Sequence, residues 1–353
     1  MQKEALLDVE IFRNPGREFR SLPFFSWKDE LDAKDLTRQI SEIDRGGWGG
    51  FFMHSRPGLI TPYLGKEWME AVRISVKEAK LRGMAAWLYD EDKWPSGYGG
   101  GLVPNRGPEY RNKALVCERI DCYERTEGTL RLYAYRQIGD RLTGLKEVKK
   151  EQEIPRGANA FLRFRRWIAP LGNAWFNGTS YVDLLNPKVT DAFLESTFET
   201  YRQVIGDEFG RTVPGIFTDE PSQFWPRHMK LPALPWTDGF PRFFKRQKGY
   251  AIEDHLPSLF LEIGDYHRIR YDFWSTITKL FVESYTRKLF RWCTRNRLAL
   301  TGHLMEEGSL SGQMLWTGST MPHYEYMHIP GVDHLGRNID EALVIKQCAS
   351  VAQ

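Results

Sequence analysis

Cysteine is scarce in this chain, and long apolar runs are missing. The four cysteines, Cys117, Cys122, Cys293 and Cys348, are too few and too loosely spaced for a zinc motif and read as reduced, buried thiols. No apolar run reaches the ~20 residues that a membrane span needs, so no membrane partner is expected. The segment Met1–Leu7 lacks the apolar core of an export signal. As written the chain reads as cytoplasmic, with an exported, longer parent as the alternative. A dominant charge of one sign is also missing. The formal net charge is +3, which gives no reason to expect nucleic acid as a partner.

What is present is bulk and aromaticity. A chain of 353 residues, 41% of them hydrophobic, has room for one large core or a core plus an inserted module. Twelve tryptophans suit a large core, and they equally suit a sugar cleft, where the apolar face of a pyranose stacks on an indole ring. Composition does not separate the two, so position has to.

Apolar periodicity alternates between strand and helix from residue 20 to 95. Leu22–Trp27, Trp48–His54 and Met84–Tyr89 read as strands. Asp35–Ile43 and Glu67–Leu81 read as helices, stopped at Gly46-Gly47 and at Gly83. This rhythm means βαβ units and a parallel sheet. It breaks at the Gly- and Pro-rich residues 98–105. Short strands follow at Ala114–Tyr123, Leu130–Ile138 and Ala160–Trp167, with a charged stretch at Lys146–Glu153. Helical rhythm resumes after Asn186-Pro187, a cap and first-turn pair, and runs over Val189–Ile205. Val213–Thr218 is the fourth parallel strand, followed by a Pro- and Trp-rich loop over Pro221–Trp236. Helices are expected at Phe240–Lys248, Tyr266–Asn296 and Ile339–Ala352. A fifth strand is expected at Leu298–His303 and a sixth at His323–Ile329. The fold class is therefore α/β, a (β/α)8 TIM-type barrel incomplete after about its sixth unit, since eight units close such a barrel. Residues 1–97 and 186–353 form its two parts, and 98–185 form a β-rich insertion after strand 3.

Function in such a barrel gathers where the strands end. Trp27 and Asp29 follow the first strand, and His54 and Arg56 the second. Tyr89, Asp90, Glu91, Asp92 and Trp94 follow the third. Asp219 and Glu220 follow the fourth. His303, Glu306 and Glu307 follow the fifth, and Tyr324, His328 and Asp333 lie near the sixth. The opposite ends carry Gly46, Gly47, Gly83, Arg211 and Arg297. This asymmetry predicts a polar pocket with several carboxylates. Glycoside hydrolysis needs one carboxylic acid to protonate the leaving oxygen and a second carboxylate as nucleophile or base. Clustered carboxylates keep one of them protonated near neutral pH. Adjacent strand residues face opposite ways, so one of Asp219 and Glu220 should face the pocket. Glu220 is favoured as the catalytic carboxylate, with Asp219 in support. Asp90 and Asp92 are as consistent with a solvated loop as with sugar hydroxyls. His303, three residues before Glu306, is a candidate for substrate or metal contact. Asn177-Gly178-Thr179 matches an N-glycosylation acceptor, a common pattern.

Four segments together resemble the α-L-rhamnosidases of glycoside hydrolase family 106 and their bacterial relatives. They are Pro23-Phe24-Phe25-Ser26-Trp27-Lys28-Asp29, Gly49-Gly50-Phe51-Phe52-Met53-His54-Ser55-Arg56-Pro57-Gly58-Leu59, Trp87-Leu88-Tyr89-Asp90-Glu91-Asp92 with Trp94-Pro95-Ser96-Gly97, and Phe217-Thr218-Asp219-Glu220-Pro221. The resemblance spans most of residues 20–350. It implies a barrel within a larger multidomain chain, inversion at the anomeric carbon and, in many members, a calcium ion near the sugar. It implies that Glu220 is the general acid and that the base is a glutamate after a seventh strand, beyond this sequence. Glu306 is the nearest carboxylate to fill that role here. The expected catalytic set is Glu220, Asp219 and Glu306. The expected substrate contacts are Trp27, Asp29, His54, Arg56, Tyr89, Asp90, Asp92, Trp94, His303, Tyr324 and Asp333. No metal ligand is assigned, and the partner is carbohydrate, alongside further domains of a longer chain. Two readings compete: a metal-dependent sugar isomerase or hydrolase using His54, Asp90, Asp92, Glu220, His303 and Glu306, and a non-catalytic carbohydrate-binding fragment.

Overall fold

Side-chain alternation builds the first strand. In β1 (Phe24–Asp29), Phe25 and Trp27 are buried while Phe24, Ser26 and Lys28 are exposed, the period of two that a pleated strand imposes. The computed structural model describes residues 8–223, 230–337 and 342–352. Met1–Leu7, the middle of the Pro- and Trp-rich loop and residues 339–341 of the expected last helix lie outside them.

The chain then alternates as its periodicity predicts. Helix Ala33–Arg45 starts where the Asp32 carboxylate accepts the N–H groups of Lys34 and Asp35 at 2.9 and 3.1 Å, a side-chain cap. It buries Leu36 and Ile40. Next come β2 (Gly50–Leu59), helix Lys66–Leu81 and β3 (Ala85–Tyr89). The intervening segment supplies β4 (Lys113–Ile120), β5 (Thr129–Ile138), β6 (Arg141–Glu147) and β7 (Ala160–Ile168). Helices Pro187–Phe193 and Glu199–Ile205, joined by a π-helical turn at Leu194–Phe198, lead into β8 (Gly215–Asp219). The short β9 (Ala233–Pro235) and a run of helices precede β10 (Ala299–His303) and β11 (Ile329–Pro330).

The structure is a mixed α/β fold with two sheets. One is parallel, in the order β1-β2-β3-β8-β10-β11. That order never reverses along the chain, whereas a doubly wound sheet reverses once. Its two edges among the described residues are β1 and β11. The sheet is strongly curled. Phe24 on β1 and Phe217 on β8 sit three strands apart, which in a flat sheet is roughly 14 Å, yet their ring centroids are 5.2 Å apart. Phe24, His54, Tyr89, Phe217 and His303 line the concave face in mutual ring contact. Phe25, Met53, Leu88, Ile216 and Leu300 face the helices and join the main core.

The second sheet is antiparallel, ordered β6-β5-β7-β4-β9. Its last strand, β9, comes from beyond residue 185 and pairs Leu234 with Leu115. One face, with Leu115, Tyr133, Leu162 and Phe164, belongs to the main hydrophobic core. The other carries a small cluster of its own around Leu132, Ala134 and Phe161. A fully buried Lys113–Asp183 ion pair at 3.1 Å, with Thr237 donating to Asp183 at 2.7 Å, ties the start of β4 to the returning chain.

Two expectations are corrected here. The sixth parallel strand is only Ile329–Pro330, because residues Met321–Tyr324 form a helical turn with Pro322 in its first turn, a position where proline is tolerated. The charged stretch expected from Lys146 begins inside a further strand, β6, which the sequence reading does not include. Its residues are mostly exposed, as an edge strand's are, and its two leucines, Leu142 and Leu145, stand three apart, so no alternation of two marks it.

Candidate functional site

The site is built at the C-terminal end of β8. Asp219 is the last strand residue, on the concave face below Glu220. Its carboxylate accepts the Tyr89 hydroxyl at 2.5 Å and pairs with His303 Nε2 at 2.9 Å. Its backbone is pinned as well: the Asp219 N–H donates to Ser96 Oγ at 2.8 Å, and the Ser96 N–H donates to the Asp219 carbonyl at 2.8 Å. Burial alone would raise the Asp219 carboxyl, but the hydrogen bond and charge of His303, with the Tyr89 hydroxyl, hold it below its ordinary value.

Glu220 breaks the pleat. Its φ is +47°, a left-handed backbone that costs a non-glycine residue about 1–3 kcal/mol and that concentrates at functional positions. The turn lets Glu220 enter the same concavity as Asp219, which regular alternation forbids. Asp29 and Glu306, also at strand ends, share this left-handed geometry at φ +62° and +52°. Glu220 is half-buried. Burial, reinforced by the charges of Asp219, Asp333 and Glu306 and opposed by His303, pushes its carboxyl up to about 7.

His303 lies between two carboxylates. Nε2 meets Asp219, and Nδ1 stands 3.6 Å from Glu307 Oε1, an ion pair beyond hydrogen-bond length. Burial opposes its charge, but Asp219, then Glu307 and Glu220, raise the imidazole to about 9, so it is a cation at neutral pH. Glu307 in turn accepts the Leu304 N–H at 3.0 Å, the Tyr324 hydroxyl at 3.0 Å and the Asp333 N–H at 2.6 Å. It therefore fastens the end of β10 to the loop that carries Asp333. A cavity of about 360 Å³ opens above, lined by Glu220, His303, Glu306, Glu307, Asp333 and His334 among others.

The structure thus brings together Glu220, Asp219, His303, Tyr89, Asp333 and Glu306. Tyr324 lies beneath them, bonded to Glu307. Other expected contacts lie elsewhere. Trp27 is 2% exposed and packs on Trp68 at 4.8 Å; it points to the helices because strand alternation places it opposite Ser26. Asp90 is fully buried and accepts from Ser96 Oγ at 2.5 Å. Asp92 is buried and accepts from Ser55 Oγ and Asn177 Nδ2, each at 2.8 Å. Asp29 is exposed at the end of β1 and accepts its neighbour Glu30's N–H at 3.0 Å. His54 is fully buried, stacked at 3.8 Å on Tyr89. Burial, with Arg56 adding, holds its imidazole down at about 3, so it is neutral and supports the ring that donates to Asp219. Arg56 and Trp94 form a pair, with the guanidinium 5.5 Å over the indole.

Two residues of the site escaped sequence reasoning. Ser96 joins Asp90 to Asp219, and its only signal was membership of the Trp94-Pro95-Ser96-Gly97 segment. Glu307 was passed over for Glu306, yet Glu306 is exposed and Glu307 is buried against His303.

Calcium is the metal that the sequence resemblance admits. Glu220, His303 and Asp333 each place a ligand-type atom within 4.8 Å of the others. The set does not fit calcium, which takes six to eight oxygens, because one donor is an imidazole held as a cation by Asp219 and Glu307. Of the donors expected for a metal-dependent isomerase, Glu220 and His303 lie together, whereas His54 is held among aromatic rings and Asp90 and Asp92 have hydroxyl and amide partners.

No family model matches the chain. A curated protein of Formosa agariphila named "Putative beta-glucuronidase" is 26% identical over 159 residues, 42% of this chain and 13% of that protein. Among solved structures, a rhamnosidase from Novosphingobium sp. PP1Y matches with a TM-score of 0.65 at 14% identity, over 97% of this chain and 51% of that one. The likeness establishes a shared fold. The chain spans about half the length of the rhamnosidase and a small part of the curated relative.

Proposed function

We propose that this chain carries the general-acid side of a glycoside hydrolase site, with Glu220 as the acid. The observation that carries the reading is a half-buried glutamate, turned into a carboxylate-lined cavity, whose carboxyl stays protonated up to about pH 7. Below that pH Glu220 donates its proton to the glycosidic oxygen as the C–O bond breaks, and a neutral alcohol leaves. The Asp219–His303 ion pair stays charged throughout and fixes the strand end from which Glu220 projects. The names of the two relatives, a rhamnosidase and a glucuronidase, both point to sugar cleavage.

The cavity favours a neutral sugar. Glu220, Glu306, Glu307 and Asp333 all line it, and a uronate carboxylate would meet them at close range. A neutral deoxyhexoside such as an α-L-rhamnoside fits this environment better than a β-glucuronide. Asp333 is too near to serve as the base of an inverting pair. Its oxygen approaches Glu220 within 4.8 Å, whereas inverting pairs stand roughly 6.5–9.5 Å apart to admit water. The inverting reading therefore calls on Glu306 or on a carboxylate outside this chain.

We also read the curled sheet as six strands of a (β/α)8 barrel, interrupted by 98–185. A structure of the full-length protein in which β1 and β11 remain unpaired edges would refute this. The enzymatic reading is tested with Glu220→Gln in the full-length protein. Loss of the acid should slow a methyl α-L-rhamnoside far more than a 2,4-dinitrophenyl α-L-rhamnoside, whose leaving group needs no proton. Equal slowing of both substrates would remove Glu220 from the acid role.

A further inference from the structure

The concave face of β2 continues past the site. Residues Phe52, His54 and Arg56 share one side of the strand. His54 stacks on the Tyr89 ring whose hydroxyl donates to Asp219. Arg56 stands one pleat further, roughly 7 Å up the strand toward the mouth, while the rings of Phe52 on β2 and Phe217 on β8 meet at 5.6 Å across the curled face.

Three segments meet at Arg56. Its guanidinium lies 5.5 Å over the Trp94 ring from the β3 loop. Trp94 meets Trp175 edge to face at 4.6 Å, and Trp175 Nε1 donates to the Trp94 carbonyl at 2.7 Å. Lys93 Nζ sits 5.9 Å from the Trp175 ring and donates to Asn177 Oδ1 at 2.6 Å. Arg56, Trp94 and Trp175 are all half-buried. Asp92, two residues before Trp94, is engaged by Ser55, Asn177 and Lys93. Arg56 has no ion pair among the described residues, its guanidinium being held against the Trp94 ring. A fixed, uncompensated guanidinium beside two half-exposed indoles has the chemistry of a binding surface: an aromatic platform for a pyranose face and a planar fork for a carboxylate or sulfate.

We propose that Arg56, Trp94 and Trp175 form a subsite for an acidic saccharide at the rim of the cleft, its ring on the indoles and its anionic group on Arg56. The place in the cleft rests on the hydrolase reading; the binding does not. The molecule then sorts a substrate by charge, a neutral sugar in the acidic cavity and an anionic one on the basic, aromatic rim.

The test is titration calorimetry of the full-length protein with D-glucuronate, D-glucose 6-sulfate, D-glucose and inorganic sulfate. At least one acidic sugar should bind tenfold or more tightly than glucose, and added salt should weaken it. Which acidic sugar binds tells carboxylate from sulfate. Arg56→Gln should erase that preference, Arg56→Lys should keep part of it, and Trp175→Ala should weaken the acidic sugar at least tenfold. Circular dichroism checks the fold of each variant. Equal binding of glucose and both acidic sugars overturns the proposal, as does an undiminished preference in folded Arg56→Gln. Inorganic sulfate binding as tightly as the sugars overturns it too, since that marks a plain anion site. Acidic-sugar binding that persists while Glu220→Gln turns over normally would leave the subsite standing and remove Glu220 from the acid role.

Discussion

Two neighbouring strands of the parallel sheet end in acidic runs, and the runs have opposite fates. After β3 come Asp90, Glu91 and Asp92; at the end of β8, paired beside it through Tyr89 and Phe217, come Asp219 and Glu220. The β3 acids are turned inward, and the central one is filled with donors from its own loop. Glu91 is fully buried and accepts four backbone N–H groups, from Asp92, Gly97, Gly99 and Gly100, at 2.7–3.0 Å. Gly99 and Gly100, at φ +58° and +62°, take the left-handed backbone that aims successive N–H groups at one point. The β8 acids meet side-chain partners. Asp219 is matched by a cation, and Glu220 by the charges of three other carboxylates. The role of an acidic run is thus decided by the donors it meets, and a backbone nest makes it structural.

The sharpest way to break this comparison is to swap each central acid for its amide. Glu220→Gln removes a proton donor and should lower kcat on an alkyl glycoside by about 10²–10⁴-fold. It should leave the urea midpoint unchanged or raised, since the carboxyl is held there against burial and neighbouring charge. The wild-type rate should fall as pH rises through about 7, because Glu220 is the acid only while protonated. Glu91→Gln should do the reverse. Its amide N–H₂ would confront buried N–H donors, each costing about 1–3 kcal/mol when stranded. Stability should drop by about 3 kcal/mol in urea titration, with residual activity following the folded fraction. A stable but inactive Glu91→Gln would put Glu91 in the reaction and dissolve the contrast.

Glu307 shares both characters, since it takes backbone donors like Glu91 and faces His303. Glu307→Gln should cost about 2 kcal/mol and raise KM more than it lowers kcat, because the Asp333 loop loses its fastening. An unchanged KM would show that the loop holds without it.

The sequence displayed this contrast only in part. The strand–helix rhythm was legible because apolar spacing reports burial directly, and it located the ends of β1, β3, β8 and β10 to within two residues, while β2 runs on to Leu59, past the expected His54. The pairing of Asp219 with Glu220 was legible as a strand-end acid pair. Which acids would turn inward was not, because Asp90–Asp92 and Asp219–Glu220 carry the same side-chain chemistry. The difference lies in the glycine N–H groups of residues 97–100 and in the left-handed turn at Glu220, both properties of backbone. Trp27 was misplaced for a simpler reason: alternation was applied to Asp219 and Glu220 and not to Ser26 and Trp27. The strand β6 was hidden because Leu142 and Leu145, which pack on the core, stand three residues apart across an irregular pairing with β5 and leave no alternation for periodicity to read.

The smallest expected effect sharpens the comparison from the buried side. Burial raises the Asp90 carboxyl to about 8, with the charge of Asp219 adding, while the Ser96 and Thr218 hydroxyls pull it down. In the unfolded chain it titrates near its ordinary 3.8. Between those values the folded state keeps a proton that the unfolded state releases, so wild-type stability declines as pH rises through this window. Asn cannot ionise, and it retains an acceptor for Ser96. Asp90→Asn should therefore flatten the decline. It should be less stable than wild type by up to about 1 kcal/mol at pH 5 and at least as stable at pH 8, with turnover changed by no more than a few-fold. Urea midpoints of both proteins at pH 5, 6.5 and 8 measure this. Parallel curves would show that Asp90 does not titrate in that range, and a large loss of turnover would return it to the cleft.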